Sequence, residues 1–147
     1  MMFNKPVGCA FLVEDNPDDV AIFEYAARRM DFPITLSKHK TGTSALAEIA
    51  DFVNRTEEQL PSLYILDISL SDMQGDVIFD SIAQAYRNLE LDLPPIMFLT
   101  SAETPAAAHR VRNNAKARLC HKPTSLDGYS DVLKQMFELA TTDQTVH

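Results

Sequence analysis

Short apolar runs that alternate with longer amphipathic segments constrain the fold of this chain more than any other feature. The segments GCAFLV (8–13), LYIL (63–66) and IMFL (96–99) are apolar throughout, which predicts strands buried on both faces. The segment ITLSKH (34–39) alternates apolar and polar residues, as a strand with one exposed face does, and RLC (118–120) predicts a short fifth strand. Five such strands separated by helical segments indicate a parallel sheet.

Each predicted strand is followed by a segment whose apolar residues recur at helical spacing. Asn16 and Pro17 are the residue types expected at an N-cap and a first helical position, and Pro105 and Ser125 open the fourth and fifth helices in the same way. The third helix is predicted to begin at Gly75. The stripes that we expect to face the core are Val20, Phe23, Ala27 and Met30; Leu46, Ile49, Ala50 and Val53; Ile78, Ile82, Ala85, Tyr86 and Leu89; and Leu126, Tyr129, Val132, Leu133, Met136, Phe137 and Ala140.

Strands that alternate with helices form doubly wound sheets, with right-handed crossovers and helices on both faces. We therefore predict an α/β fold with a five-stranded parallel sheet in which the strand at 34–39 lies at an edge. A length of 147 residues fits one domain. We expect its core to span about residues 7–140 and residues 141–147 to form a frayed tail.

Composition and charge exclude several classes of partner. The net charge of −8 argues against nucleic acid or an anionic membrane surface, because both attract an excess of Lys and Arg. No apolar run approaches the roughly 20 residues of a membrane span, and the first residues lack a signal-peptide cleavage pattern. Cys9 and Cys120 each lie in a short apolar run without a CxxC partner, which predicts reduced thiols in a cytoplasmic protein.

Polar residues stand where the predicted strands end. Glu14 and Asp15 follow the first strand, and Asp67 follows the third. Thr100 follows the fourth strand and Lys122 the fifth. Because the carboxyl ends of parallel strands lie along one edge of the sheet, where ligands bind in such folds, we expect these side chains to converge.

The charges of this cluster predict a divalent cation. Three carboxylates about 4 Å apart would repel one another by several kcal/mol per pair at an effective dielectric constant near 20. Mg²⁺ with oxygen ligands relieves that repulsion, and three carboxylates, one Mg²⁺ and one lysine sum to zero charge. Such a site suits phosphoryl transfer, with Asp67 as the nucleophile on a central strand and Glu14 and Asp15 as metal ligands.

Four segments, LVEDNPDD, LYILDISLSDMQG, FLTSAE and CHKP, occur in this order at the predicted strand ends. Together they resemble the receiver domain of two-component response regulators, in particular the stand-alone chemotaxis regulators, over about residues 7–140. The resemblance implies a flavodoxin-like strand order of 2-1-3-4-5. It also implies that Asp67 is phosphorylated by a phosphohistidine on a sensor histidine kinase or a histidine phosphotransfer protein, so that the chain is a signalling switch rather than an enzyme.

The resemblance also assigns roles to single residues. It implies that Mg²⁺ is held by Asp15, Asp67 and the backbone carbonyl of Ser69, with Glu14 acting through water. Lys122 is expected to bind the phosphoryl oxygens.

Further expectations concern the output of the switch. The resemblance implies a cis peptide bond between Lys122 and Pro123, and a movement of Thr100 toward the phosphoryl group. Leu119 occupies a position where the family usually has an aromatic switch residue, so we expect the signal to pass through the loop at 102–105 and the helix that follows it. Docking of a downstream protein is expected on the face formed by the fourth helix, fifth strand and fifth helix, a face that also suits a homodimer.

Two other functions remain open from the sequence. Aspartate-nucleophile phosphatases also place Asp at a strand end, but their second acid would stand at Ser69, which is not an acid. The other is a phosphorylation-independent interaction module with a receiver fold. Leu119 favours such a module, whereas the acidic pair, Asp67 and Lys122 argue against it.

Overall fold

The chain forms a five-stranded parallel sheet in the order β2-β1-β3-β4-β5, which confirms the predicted fold and strand order. The structure, a computed structural model, describes residues 8–30, 34–100 and 116–145, with the side chains of the last helix described up to residue 140. The strands are β1 (Cys9–Val13), β2 (Thr35–His39), β3 (Leu63–Asp67), β4 (Ile96–Thr100) and β5 (Ala117–His121).

Four α-helices lie within the described ranges. They are α1 (Pro17–Arg28), α2 (Gly42–Ala50), α3 (Gly75–Asn88) and the C-terminal helix (Leu126–Thr145). The side chain of Asn16 accepts a hydrogen bond from the N–H of Asp18, and Ser125 accepts one from the N–H of Gly128, as expected for the predicted caps. The fourth predicted helix, which would begin at Pro105, lies outside the described residues.

The two faces of the sheet carry separate cores. The strand residues that pack against α2 and α3 are Phe11, Val13, Tyr64, Leu66, Ile96 and Phe98. Those that pack with α1 and the C-terminal helix are Ala10, Leu12, Leu63, Ile65, Met97 and Leu99. Successive side chains of a strand point to opposite faces, so the apolar runs supply both cores at once. β2 lies at an edge and is only partly buried, as its alternating sequence predicts.

A pair of tyrosines carries polar groups into the α2–α3 core. The hydroxyl groups of Tyr64 and Tyr86 lie 2.9 Å apart, and the Tyr86 hydroxyl donates to the carbonyl of Pro61 at 3.3 Å. Burial raises the pKa of Tyr64 strongly and that of Tyr86 to about 12. Both hydroxyl groups are therefore neutral and hydrogen-bonded inside the core.

The predicted stripe of the second helix is wrong at its C-terminal end. Val53 is 71% exposed and Ala50 is also exposed, whereas Ala45 and Phe52 are fully buried. The α-helix ends at Ala50 and continues as a 3₁₀-helix, Asp51–Asn54. A 3₁₀-helix has three residues per turn, so it turns Phe52 toward the core where an α-helix would have turned Val53.

Two further expectations differ from the structure. The C-terminal helix extends to Thr145, beyond residue 140, where the sequence predicts the frayed tail to begin. No peptide bond in the described part of the chain is cis, so the predicted cis bond before Pro123 is wrong. The trans form of an X–Pro bond is favoured by only about 0.5–1 kcal/mol, which leaves the choice to the surrounding structure. Among the described helices, none has the length and apolarity needed to cross a membrane.

Candidate functional site

The polar residues predicted to converge lie at the carboxyl edge of the sheet. Glu14 follows β1, and its backbone N–H donates to the carbonyl of His39 at the end of β2. Asp67 is the last residue of β3, and Thr100 is the last residue of β4. The N–H of Lys122 donates to the carbonyl of Thr100 at 2.8 Å. The sheet pairing thus fixes all these side chains at one edge.

Lys122 joins the acidic residues of this edge into one cluster. Its amine lies 3.0 Å from Glu14 Oε1, 3.2 Å from Asp67 Oδ2 and 3.2 Å from Asp19 Oδ2. Burial alone would lower the pKa of Lys122, but the hydrogen bond and charge of Glu14, together with the charge of Asp67, raise it. Lys122 is therefore a fixed positive charge beside the Asp67 carboxylate.

Glu14 is the most deeply buried acid of the cluster. Its side chain is 1% exposed, and Oε2 accepts a hydrogen bond from the N–H of Asn16 at 3.2 Å. Burial, and then the charge of Asp67, raise the pKa of Glu14 to about 7, although the hydrogen bond from Lys122 opposes the shift. A single lysine therefore does not fully compensate two buried carboxylates.

The loop after β3 holds the Asp67 carboxylate in place. Oδ1 accepts a hydrogen bond from the N–H of Ser69 at 3.0 Å, which leaves Oδ2 to Lys122. Gly75 begins α3 directly against this strand end, and its N–H donates to the carbonyl of Ile68. A Cβ atom at Gly75 would lie 2.5 Å from the backbone oxygen of Asp67, so only glycine fits.

The residues present fit a divalent cation. Carboxylate oxygens of Glu14, Asp15 and Asp67 lie within 4.8 Å of one another. Within the described residues, the buried Oε1 of Glu14 has only the Lys122 amine, 3.0 Å away, as a close polar partner. A hard, oxygen-only donor set of three close carboxylates suits Mg²⁺. The backbone carbonyl of Ser69 stays a predicted ligand.

The remaining predicted features are the two output residues, Thr100 and Leu119, and the loop that follows β4. Thr100 is buried, one residue beyond Leu99, which pairs with Asp67 across the sheet. Leu119 lies on β5, is partly buried and packs against the α2–α3 core. The loop at 102–105 lies outside the described residues.

Two residues of the cluster were missed from the sequence. Asp19 contacts Lys122, and its other carboxylate oxygen accepts a hydrogen bond from the hydroxyl of Tyr129 at 3.1 Å. From sequence, Asp19 was only a first-turn acid and Tyr129 only a core residue. The available signal was proximity along the chain, because Asp19 lies in the first turn of the helix that begins at Pro17, two residues after Asp15.

Comparison with solved structures identifies the architecture. The signal receiver domain of an HD domain-containing protein from Pseudomonas fluorescens Pf-5 aligns with a TM-score of 0.74 and 18% identity over 100% of this chain and 98% of that one. The chain has the fold of a response-regulator receiver domain.

Two more solved receiver structures have the same fold. The phosphorylated cyanobacterial phytochrome response regulator RcpA aligns with a TM-score of 0.72 and 19% identity over 92% of this chain and 95% of that one. The signal receiver domain of the LuxO repressor protein from Vibrio parahaemolyticus aligns with a TM-score of 0.71 and 21% identity over 95% of this chain and 97% of that one. No protein-family model matches the chain, and no curated protein matches its sequence.

Proposed function

We propose that the chain is a response-regulator receiver that accepts a phosphoryl group on Asp67 with the help of Mg²⁺. The observation that carries this proposal is the contact between the Lys122 amine and Asp67 Oδ2, at 3.2 Å, beside the group of three carboxylates. Phosphoryl transfer requires charge stabilisation and positioning of the reacting groups. A cluster of charged residues held at the ends of different strands supplies both.

The proposed reaction is an in-line displacement at phosphorus. A carboxylate oxygen of Asp67 forms the new P–O bond while the P–N bond of a phosphohistidine breaks, and the bonding pair passes to the imidazole nitrogen, which is protonated from water. Mg²⁺ would be held by Glu14, Asp15 and Asp67, with Ser69 as the expected backbone ligand, and would neutralise charge on the phosphoryl oxygens.

The residues of this chain would act on the product as well. Lys122 would bind the phosphoryl oxygens, because its amine already lies beside Asp67. Thr100, buried at the end of the neighbouring strand, would move toward them. The protein would catalyse only its own phosphorylation and dephosphorylation.

The proposed partners follow from this chemistry. The phosphoryl donor is a sensor histidine kinase or a histidine phosphotransfer protein, and the output is docking of a downstream protein, or of a second copy, on the face that includes β5 and the C-terminal helix. Neither nucleic acid nor membrane is proposed as a partner, given the net charge of −8. The two free cysteines support a reducing, cytoplasmic setting.

A phosphodonor assay tests the proposal. We expect acetyl phosphate to label the wild-type protein in Mg²⁺ but not in EDTA, and we expect no labelling of Asp67→Asn. Asp72→Asn is a matched control, because Asp72 lies in the same loop but caps the N-terminus of α2. Equal labelling of the Asp67→Asn variant would contradict the proposal. A complete absence of labelling in every variant would favour the phosphorylation-independent module.

A further inference from the structure

Asp19 gives the site a fourth carboxylate whose position is held from two sides. It lies in the first turn of α1, and its side chain is 17% exposed. One carboxylate oxygen pairs with the Lys122 amine at 3.2 Å, and the other accepts a hydrogen bond from the Tyr129 hydroxyl at 3.1 Å. Tyr129 is 1% exposed and packs edge-on against Phe23 of α1, so its hydroxyl is a rigid support.

Lys122 has no spare donor in this arrangement. An ammonium group has three N–H donors, and the Lys122 amine makes three hydrogen bonds, one each to Glu14, Asp19 and Asp67. A phosphoryl group on Asp67 therefore gains a hydrogen bond from Lys122 only if one carboxylate releases the amine. Glu14 is buried without another side-chain donor among the described residues, whereas Asp19 keeps the Tyr129 hydroxyl and contact with water.

The fourth carboxylate also changes the charge of the site. Counting only side chains that the structure describes, the ionised Glu14, Asp15, Asp19 and Asp67 with Lys122 carry a net charge of −3, and Mg²⁺ would leave −1. The sequence-based sum of zero omitted Asp19. The extra negative charge strengthens cation binding and opposes entry of an anionic phosphodonor.

We infer that Asp19 is a positioning residue that holds Lys122 in the unphosphorylated protein, tightens Mg²⁺ binding and restrains phosphorylation by small anionic donors. It releases Lys122 to the phosphoryl group once that group is on Asp67. This inference rests on the proposed function. Tyr129 supports Asp19 and thereby links the site to the packing of α1 against the C-terminal helix.

The test compares Asp19→Asn with Asp18→Asn. Both changes remove one negative charge from the first turn of α1, but Asp18 is exposed, whereas Asp19 pairs with Lys122. Tyr129→Phe is the third variant, since it removes the support of Asp19 and keeps its charge. The readouts are the Mg²⁺ dissociation constant from calorimetry and the initial rate of Asp67 phosphorylation as a function of acetyl phosphate concentration.

For Asp19→Asn we expect Mg²⁺ binding to weaken and half-saturation by acetyl phosphate to occur at a lower concentration, each by about three- to tenfold relative to Asp18→Asn. Tyr129→Phe should lower the half-saturating concentration by a smaller factor and leave the Mg²⁺ dissociation constant near that of the wild type. The inference would be overturned if the Mg²⁺ dissociation constant and the half-saturating acetyl phosphate concentration of Asp19→Asn were within about twofold of those of Asp18→Asn. Loss of any surface charge would then explain the effects of both variants.

The two readouts separate this inference from the proposed function. Mg²⁺ calorimetry needs no phosphorylation, so it still decides the charge role of Asp19 if acetyl phosphate fails to label the wild-type protein. Absence of labelling counts against phosphoacceptor function, and an unchanged Mg²⁺ constant in Asp19→Asn counts against the role of Asp19.

Discussion

Replacement of Lys122 by methionine probes the electrostatics on which the site depends. The change keeps a long side chain but removes the ammonium group that lies within 3.2 Å of Glu14, Asp19 and Asp67. At an effective dielectric constant of 20, each such pair represents about 5 kcal/mol of Coulomb energy, before the cost of removing the charges from water. Removing one partner of a buried ion pair typically costs about 3–5 kcal/mol.

We expect the free energy of unfolding to fall by about 3 kcal/mol in Lys122→Met, at the lower end of that range because the Lys122 and Asp19 side chains are 16% and 17% exposed. Urea unfolding followed by circular dichroism at about pH 8 in EDTA measures the loss. Mg²⁺ should reduce the difference in unfolding free energy between the variant and the wild type, because the cation binds the carboxylates left without a partner. Lys134→Met, on the exposed side of the C-terminal helix, is the control.

A loss no larger than that of Lys134→Met would refute this account of the cluster. A large loss that neither Mg²⁺ nor acid reverses would also refute it, since the instability would then not arise from uncompensated carboxylates.

Three further predictions follow from the packing and the pKa values. Gly75→Ala should lower both stability and phosphorylation, because the new Cβ would lie 2.5 Å from the backbone oxygen of Asp67; a variant with wild-type labelling would show that the loop adapts freely. The pKa of Glu14 is about 7 in the fold against an ordinary value of 4.5. Between these two values the Glu14 carboxyl is protonated in the metal-free folded state but ionised in the unfolded state. The unfolding free energy of the metal-free protein should therefore fall by roughly 2 kcal/mol as the pH rises from about 5 to above 7. An unchanged pH dependence of stability in Glu14→Gln would contradict the raised pKa of Glu14. Tyr86→Phe should cost about 1–2 kcal/mol in urea unfolding, because Tyr64 loses its buried hydroxyl partner; a neutral effect would mean that water replaces it.

The strands follow closely from the sequence because burial on two faces leaves a strong pattern, whereas their order was implied by the resemblance to receiver domains. LYIL and IMFL are apolar throughout, and the structure buries every residue of β3 and β4. ITLSKH alternates, and β2 lies at the edge. The convergence of Glu14, Asp67 and Lys122 then follows from the geometry of a parallel sheet, because the ends of neighbouring strands are adjacent.

Features that depend on local geometry did not follow from the sequence. A change from α- to 3₁₀-helix after Ala50 rotates the following residues, and nothing in the apolar pattern distinguishes Phe52 from Val53. In the sequence, Asp19 cannot be distinguished from an ordinary acid in the first turn of a helix. Its role depends on how α1 and the C-terminal helix pack. Side-chain pairing across distant elements requires coordinates.

Mn²⁺ in place of Mg²⁺ tests most directly whether the acidic residues share one cation at the carboxyl edge of the sheet. Nuclear magnetic resonance of the backbone amides during a Mn²⁺ titration reports distance from the ion, because paramagnetic broadening falls steeply with separation. We predict that Asp15, Asp67 and Ser69 broaden first and Thr35, at the opposite end of the sheet, last, and that Asp67→Asn weakens the effect. Broadening that begins elsewhere, or that is unaffected by Asp67→Asn, would contradict the shared metal site.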